Sequence, residues 1–293
     1  MIDFYLSVLQ TSLCLCPMAL GIFISMKVFN IPDISTDGTY TLGACTTVVL
    51  LTQQFPLGLT LLLSVLLGAM AGMVTGLIHT KLKIDALLSG ILVMTALYSI
   101  NLIILGRSNL PLQKSKSIFS LIDFSSLGYM NEIIVSLIIV FIILATMSYL
   151  LRSDYGIAMR ATGSNPVMTK AMGINNDRIR ITGLAIANGL TSLSGSLIAQ
   201  DQHYADINMG IGIVITGLGS VLIADTIRNW FRLQKIGKQL ILVLIGVLIF
   251  QLVLAITLNW GVDPNMLKLI TALFVLIIVA LPRLTSNLAG KKI

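Results

Sequence analysis

Long runs of about 20 residues pass through this chain with almost no charge in them, and that feature limits the fold more than any other. A run of that length without ionisable groups spans the roughly 30 Å hydrocarbon layer of a bilayer as a helix. Only helices, or closed barrels, satisfy every backbone N–H and C=O there. Nine such runs are read along the chain, at about 4–29, 38–51, 56–80, 84–106, 132–151, 179–200, 209–227, 236–258 and 264–281. The fold class that follows is an all-α polytopic membrane protein of about nine spans (eight to ten). Two of these spans, the second and the seventh, are short or discontinuous. Charged residues make up only 11% of the 293 and hydrophobic residues 56%, so no soluble domain fits between the spans. Residues 1–293 are read as a single transmembrane domain.

The net charge of +7 raises the question of nucleic acid, but the positions of the charges argue against it. When the interval from Arg152 to Arg180 is placed in the cytoplasm and sides alternate, fifteen of the 19 Lys and Arg fall on the inner side. Arg107, Lys114, Lys116 and Lys268 are the four left outside. That skew is the positive-inside pattern of a membrane protein. It predicts an outer N-terminus and a cytoplasmic C-terminus.

The Arg152–Arg180 interval, RSDYGIAMRATGSNPVMTKAMGINNDRIR, is the longest polar stretch between spans and carries Arg152, Arg160, Lys170, Arg178 and Arg180. Within it lies a miniature helix signature. Ser164 or Asn165 caps, Pro166 takes the first helical position, Val167 to Met172 supply about two turns, and Gly173 ends them. A docking surface for a cytoplasmic partner and a solvated loop at the headgroups both account for it.

Two further stretches depart from ordinary span ends. Residues 31–40 (IPDISTDGTY) lead into the second helix and 206–212 (DINMGIG) into the seventh. Each sets an Asp, an Ile and a Gly ahead of a short helix, and the two helices run in opposite directions. Paired discontinuous helices point to a midplane substrate site, where free N–H groups and positive dipole ends suit a carboxylate. Asp33 and Asp37 within the bilayer would be functional; the alternative is two capped helix ends at the surface. The substrate path is assigned to Asp33, Asp37, Thr39, Tyr40, Asn101, Asp206 and Asn208, with Asn188 as a second polar residue inside a span. Ser64, Gly68, Gly72 and Gly76, four residues apart, read as a packing seam. The outer loop 108–130, with Gly128, reads as a connector or a landing site.

Enzyme chemistry has little support in the sequence. Gly237-Lys238 and Gly290-Lys291 do not complete a phosphate-binding GxxxxGK[ST] loop. His79 and His203 stand alone, and Cys14, Cys16 and Cys45 lie in or beside apolar runs as small hydrophobes. No catalytic residue, metal site or cofactor is expected.

The segment Gly156–Pro166 (GIAMRATGSNP) with Ala171–Ile174 (AMGI) resembles the permease subunits of bacterial ABC importers, in the branched-chain amino acid and ribose permease superfamily. Residues 32–43 (PDISTDGTYTLG), 84–95 (IDALLSGILVMT) and 205–212 (ADINMGIG) resemble the branch known as tryptophan or tyrosine uptake permeases. The resemblance implies a coupling helix received by a cytoplasmic ATPase subunit, through Arg160, Gly163, Asn165, Pro166, Lys170, Met172 and Gly173. It implies an extracytoplasmic solute-binding protein, a homodimeric or pseudo-dimeric pair of permeases in the bacterial inner membrane, and a small polar cargo, an aromatic amino acid. An ion-coupled secondary transporter using Asp33 and Asp37, or a membrane scaffold that moves nothing, are the rival readings.

Overall fold

The computed structural model describes residues 2–112, 117–120, 129–263 and 266–288. Lys114, Lys116, Gly128, Lys291 and Lys292, and the start of the ninth expected span at Pro264, lie outside the described residues. Helix α1 (Ile2–Ile22) runs on into a π-helical turn, Phe23–Val28. After it come α2 (Ser35–Thr52), α3 (Leu57–Lys81) and α4 (Ala86–Leu105). Next are α5 (Tyr129–Arg152), α6 (Asp154–Ser164), α7 (Pro166–Ala171) and α8 (Asn176–Gln202). The chain finishes with α9 (Ile213–Phe231), α10 (Ile236–Asn259) and α11 (Leu267–Leu288). Among the described residues, six helices are long and apolar enough to cross a membrane: Phe4–Val28, Leu57–Lys81, Ala86–Leu105, Met130–Arg152, Asn176–Gln202 and Ile236–Asn259. The second, seventh and ninth expected spans are helices too, but do not meet that standard.

Helix α8 is the axis of the bundle. It is mildly apolar yet largely buried, because small residues bring its neighbours in close. A Cβ on Gly72 would stand 2.3 Å from the Leu184 carbonyl oxygen, one on Gly68 2.3 Å from Ser192 Cβ, and one on Gly76 2.8 Å from Ile181 Cα. The Ser64–Gly76 stripe is therefore the α3–α8 seam read from the sequence. Ser192 Oγ donates to the Ser64 carbonyl at 2.7 Å across it.

Helix α2 is buried along almost its whole length although it is rich in Thr and Gly. Its hydroxyls satisfy themselves. Thr41, Thr46 and Thr52 each donate to the carbonyl four residues back, at 3.1, 2.7 and 2.7 Å. Across the interface Thr47 Oγ1 and Ser196 Oγ are 2.7 Å apart. Only a helix of small, self-satisfied residues packs this tightly without stranding polar atoms.

The pairing contacts fix directions and depth. Residues 39 and 47 of α2 meet 188 and 196 of α8, so α2 runs parallel to α8. Helix α1 runs the other way, with Cys14 at Ser194 and Gly21 at Ala187. Helix α9 follows α1, with Gly217 at Ile22 and Asp225 at Lys27. Asn188 is twelve residues into α8, about 18 Å from one end and about 21 Å from the other at 1.5 Å per residue. Helices α2 and α9 both begin near that level and leave in opposite directions. At the end beyond Gln202, strands β1 (Asn109–Pro111) and β2 (Tyr204–Asp206) pair antiparallel. At the other end lie α6, α7 and the Lys81–Asp177 ion pair at 3.3 Å. His79 Nδ1 reaches the Ile84 carbonyl at 2.9 Å there, bracing the α3–α4 turn.

Candidate functional site

At the α7 end the polar interval folds as two helices where a single short one is read from the sequence. Ser153 Oγ accepts from Gly156 N and starts α6. Asn165 Oδ1 accepts from Met168 N at 3.0 Å and starts α7, with Pro166 in its first turn. Gly173 ends the unit with φ +82, a left-handed backbone that suits glycine. Asn176 then staples the pair. Its Nδ2 donates to the Pro166 carbonyl at 2.6 Å, and its Oδ1 accepts from Thr169 Oγ1 at 2.8 Å. Held this way, α7 presents Val167, Met168 and Met172 at 79%, 59% and 68% exposure, beside the exposed Lys170. Exposed apolar side chains on a capped knob of this kind mark a contact with a protein or with the membrane.

The remaining residues read for this role divide between two places. Arg160 is exposed on α6. Gly163 points inward, since a Cβ there would fall 1.7 Å from the Val28 carbonyl oxygen. Asn30 Nδ2 donates to the Gly163 carbonyl at 3.3 Å. Gly163 thus joins α6 to the π-helical turn of α1 and does not belong to the exposed surface. Asn176, Val28 and Asn30 are parts of the unit that sequence reasoning did not single out. An Asn that bonds across a turn looks like any other loop Asn until the turn is folded.

The second constellation is buried where α2 begins. Asp33 Oδ1 accepts from Ser35 N at 2.9 Å and Ser35 Oγ at 2.6 Å, capping α2, while its Oδ2 accepts from Asn188 Nδ2 at 2.7 Å. Asn188 Oδ1 in turn accepts from Thr39 Oγ1 at 2.7 Å. Asp37, one turn on, faces the other way. Its two oxygens accept from Gly212 N and Val214 N, both at 2.9 Å. The start of α9, read from the sequence as a set of free N–H groups, is closed in this structure by the chain's own carboxylate. That is favourable for a helix N-terminus, and it places both acids inside the bundle, at 4% and 7% exposure. Asn101 Nδ2 donates to the Gly38 carbonyl at 3.1 Å, and its buried Oδ1 has no partner. Tyr40 is buried against Gly195.

Asp33, Asp37, Thr39, Tyr40 and Asn101 thus lie along or against the first turns of α2; of these, Asp33 and Thr39 bond Asn188, while Asp37 bonds the start of α9 and Asn101 the Gly38 carbonyl. Asp206 and Asn208 are not among them. Asp206 lies in β2, where it accepts from Asn208 N at 2.8 Å and Asn109 Nδ2 at 3.3 Å, and Asn208 is exposed.

This architecture has a match among known sequences. Residues 4–280 fit the family model described as the permease component of branched-chain amino acid transport systems. The chain belongs to that permease family. It is 40% identical over 283 residues to a tyrosine transport system permease protein of Clostridioides difficile, covering 97% of this chain and 92% of that one. It is 28% identical over 194 residues to a probable branched-chain amino acid transport permease of Methanocaldococcus jannaschii, with 62% and 61% covered. With the ribose import permease of Haemophilus influenzae it shares 23% over 250 residues, covering 84% and 76%. No solved structure matches. The permease is therefore a transport subunit of the bacterial inner membrane, and not an enzyme by itself.

Proposed function

We propose that this permease is the membrane-spanning subunit of an ATP-driven importer that carries an aromatic amino acid of the tyrosine class. Two copies form the pathway. A cytoplasmic ATPase subunit receives α7, and an extracytoplasmic binding protein delivers cargo at the β1–β2 end. The N-terminus then lies outside and the C-terminus inside. The observation that carries this reading is the exposed Val167–Met172 knob, in a chain whose family consists of transport permeases. The cargo class is supported by the 40% identity to a tyrosine permease.

The contacts suggest how a push at α7 travels. Asn176 and Gly163 pass it to Val28, and the short segment from Val28 to Ile34 leads to the Asp33–Asn188 pair. Closure of the ATPase dimer supplies the energy because ATP contacts the two states differently; the permease transmits it. Withdrawal of Asp37 exposes Gly212 N and Val214 N to the carboxylate of the cargo. Proteoliposomes holding the permease, the ATPase and the binding protein test the proposal. ATP-dependent uptake of labelled tyrosine is expected only when all three are present. Asp37→Asn should cut uptake by at least tenfold while ATP hydrolysis continues. Uptake driven by an ion gradient without the ATPase would contradict the proposal.

A further inference from the structure

At the α7 end, away from the buried constellation, the turn between α9 and α10 encloses an open cup of about 360 Å3 lined by Arg228, Asn229, Arg232, Leu233, Gln234 and Gln239. Its wall is fixed, since Gln239 Nε2 donates to the Gln234 carbonyl at 3.1 Å. The charge around it is unbalanced. Asp225 is the acid of this region, and both of its oxygens are taken, by Lys27 Nζ at 2.5 Å and Arg228 at 2.7 Å. Arg228 also donates to Asn229 Oδ1 at 3.2 Å. Arg232, Lys235 and Lys238 have no side-chain partner among the described residues.

Arg232 is one of five non-glycine residues with positive φ among the described residues. It ends α9 in a left-handed backbone, φ +50, where Leu233 N bonds the Arg228 carbonyl at 3.1 Å. Glycine is the common residue for that position and an L side chain is strained there. With Asp225 already paired, the Arg232 guanidinium lines the cup without a side-chain partner among the described residues. Trp230 and Phe231 stand on the same turn, 82% and 65% exposed, with ring centroids 5.8 Å apart. Such rings settle at the boundary between headgroups and acyl chains.

We propose that this cup binds the phosphate of an anionic phospholipid in the leaflet on the α7 side. Arg232 and Arg228 donate to the phosphate and the amides of Asn229, Gln234 and Gln239 surround it. Trp230 and Phe231 lie along the start of the acyl chains, which is what favours a lipid over a free anion. Through Arg228, Asp225 and Lys27 the bound lipid braces α9 against the π-helical turn of α1.

Native mass spectrometry of the detergent-purified chain, titrated with phosphatidylglycerol or with phosphatidylcholine of the same acyl chains, tests this. Phosphatidylglycerol should bind more tightly. Arg232→Gly, which removes the side chain and relieves the backbone, should weaken it roughly fivefold. Lys83→Gly removes another basic residue with positive φ, from the α3–α4 turn at the same end, and should change nothing. Inorganic phosphate should not displace the lipid. Should Arg232→Gly not fold, Arg232→Asn, which also tolerates this backbone, serves in its place. Equal affinity for the two lipids, or equal weakening by both glycine variants, overturns the proposal in favour of a diffuse basic surface. Displacement by phosphate overturns it in favour of a free-anion site. Unchanged lipid binding with reduced recovery of the ATPase subunit assigns the cup to a protein partner and overturns it as well.

Discussion

Asn188 holds the buried constellation together, because its amide donates to Asp33 and accepts from Thr39 at the level where α2 begins. A carboxylate at that depth is tolerable only while its donors are in place. Asn188→Ala should therefore cost about 1–3 kcal/mol by stranding Asp33. Asp33→Ala and Asn188→Ala together should cost less than the sum of the two alone, because the pair acts as a unit. Thermal unfolding in detergent, run as a double-mutant cycle, reads the difference; additive losses would show that the contact carries nothing. The sequence left the two acids either inside the bilayer or at capped helix ends; the structure buries both, and each also accepts from N–H groups at a helix start. Their partners were not legible there. Nothing local in 206–212 shows that Gly212 N and Val214 N meet Asp37, a pairing 175 residues distant in sequence. The same stretch drew Asp206 and Asn208 into the reading; Asp206 ends β2 and Asn208 lies in the turn that leads to α9.

Among the elements, α7 was the most legible, because helix caps are local chemistry. Asn165, Pro166 and Gly173 occupy the positions that sequence reasoning assigned them. Helix α6 was missed. Its place depends on Gly163 lying against Val28, a contact with another element. Helix α2 begins earlier than its apolar pattern suggests, at Ser35, because Asp33 caps it. These placements give opposite expectations for two variants. Val167→Glu alters an exposed side chain and should shift stability by no more than about 0.5 kcal/mol, yet abolish uptake. Gly163→Ala drives a methyl group into the Val28 carbonyl and should lower the thermal midpoint by several degrees as well as uptake. Paired melting and uptake assays distinguish them; a destabilised Val167→Glu would mean that α7 is a structural brace.

For the whole molecule, the proposed orientation rests on the skew of positive charge and the alternation of spans. The six helices that qualify as spans by length and composition are compatible with it, and α2, α9 and α11 decide the count. Their periodicity could not settle this, since two of them begin inside the bundle and α2 replaces apolar side chains with Thr and Gly. The native cysteines Cys14, Cys16 and Cys45 are buried, so a single introduced thiol gives a clean signal. Lys83→Cys should react with an impermeant maleimide only in inside-out vesicles, and Asn109→Cys only in right-side-out cells. The reverse pattern would invert the topology.

The central claim is that the ATPase grips α7. A photo-crosslinking amino acid placed at Val167, in the permease co-expressed with its ATPase and binding protein, tests this most directly. The expected result is a crosslink to the ATP-binding subunit, whose yield changes when ATP is added. A residue at 167 that labels only lipid or solvent in the assembled complex would contradict the account.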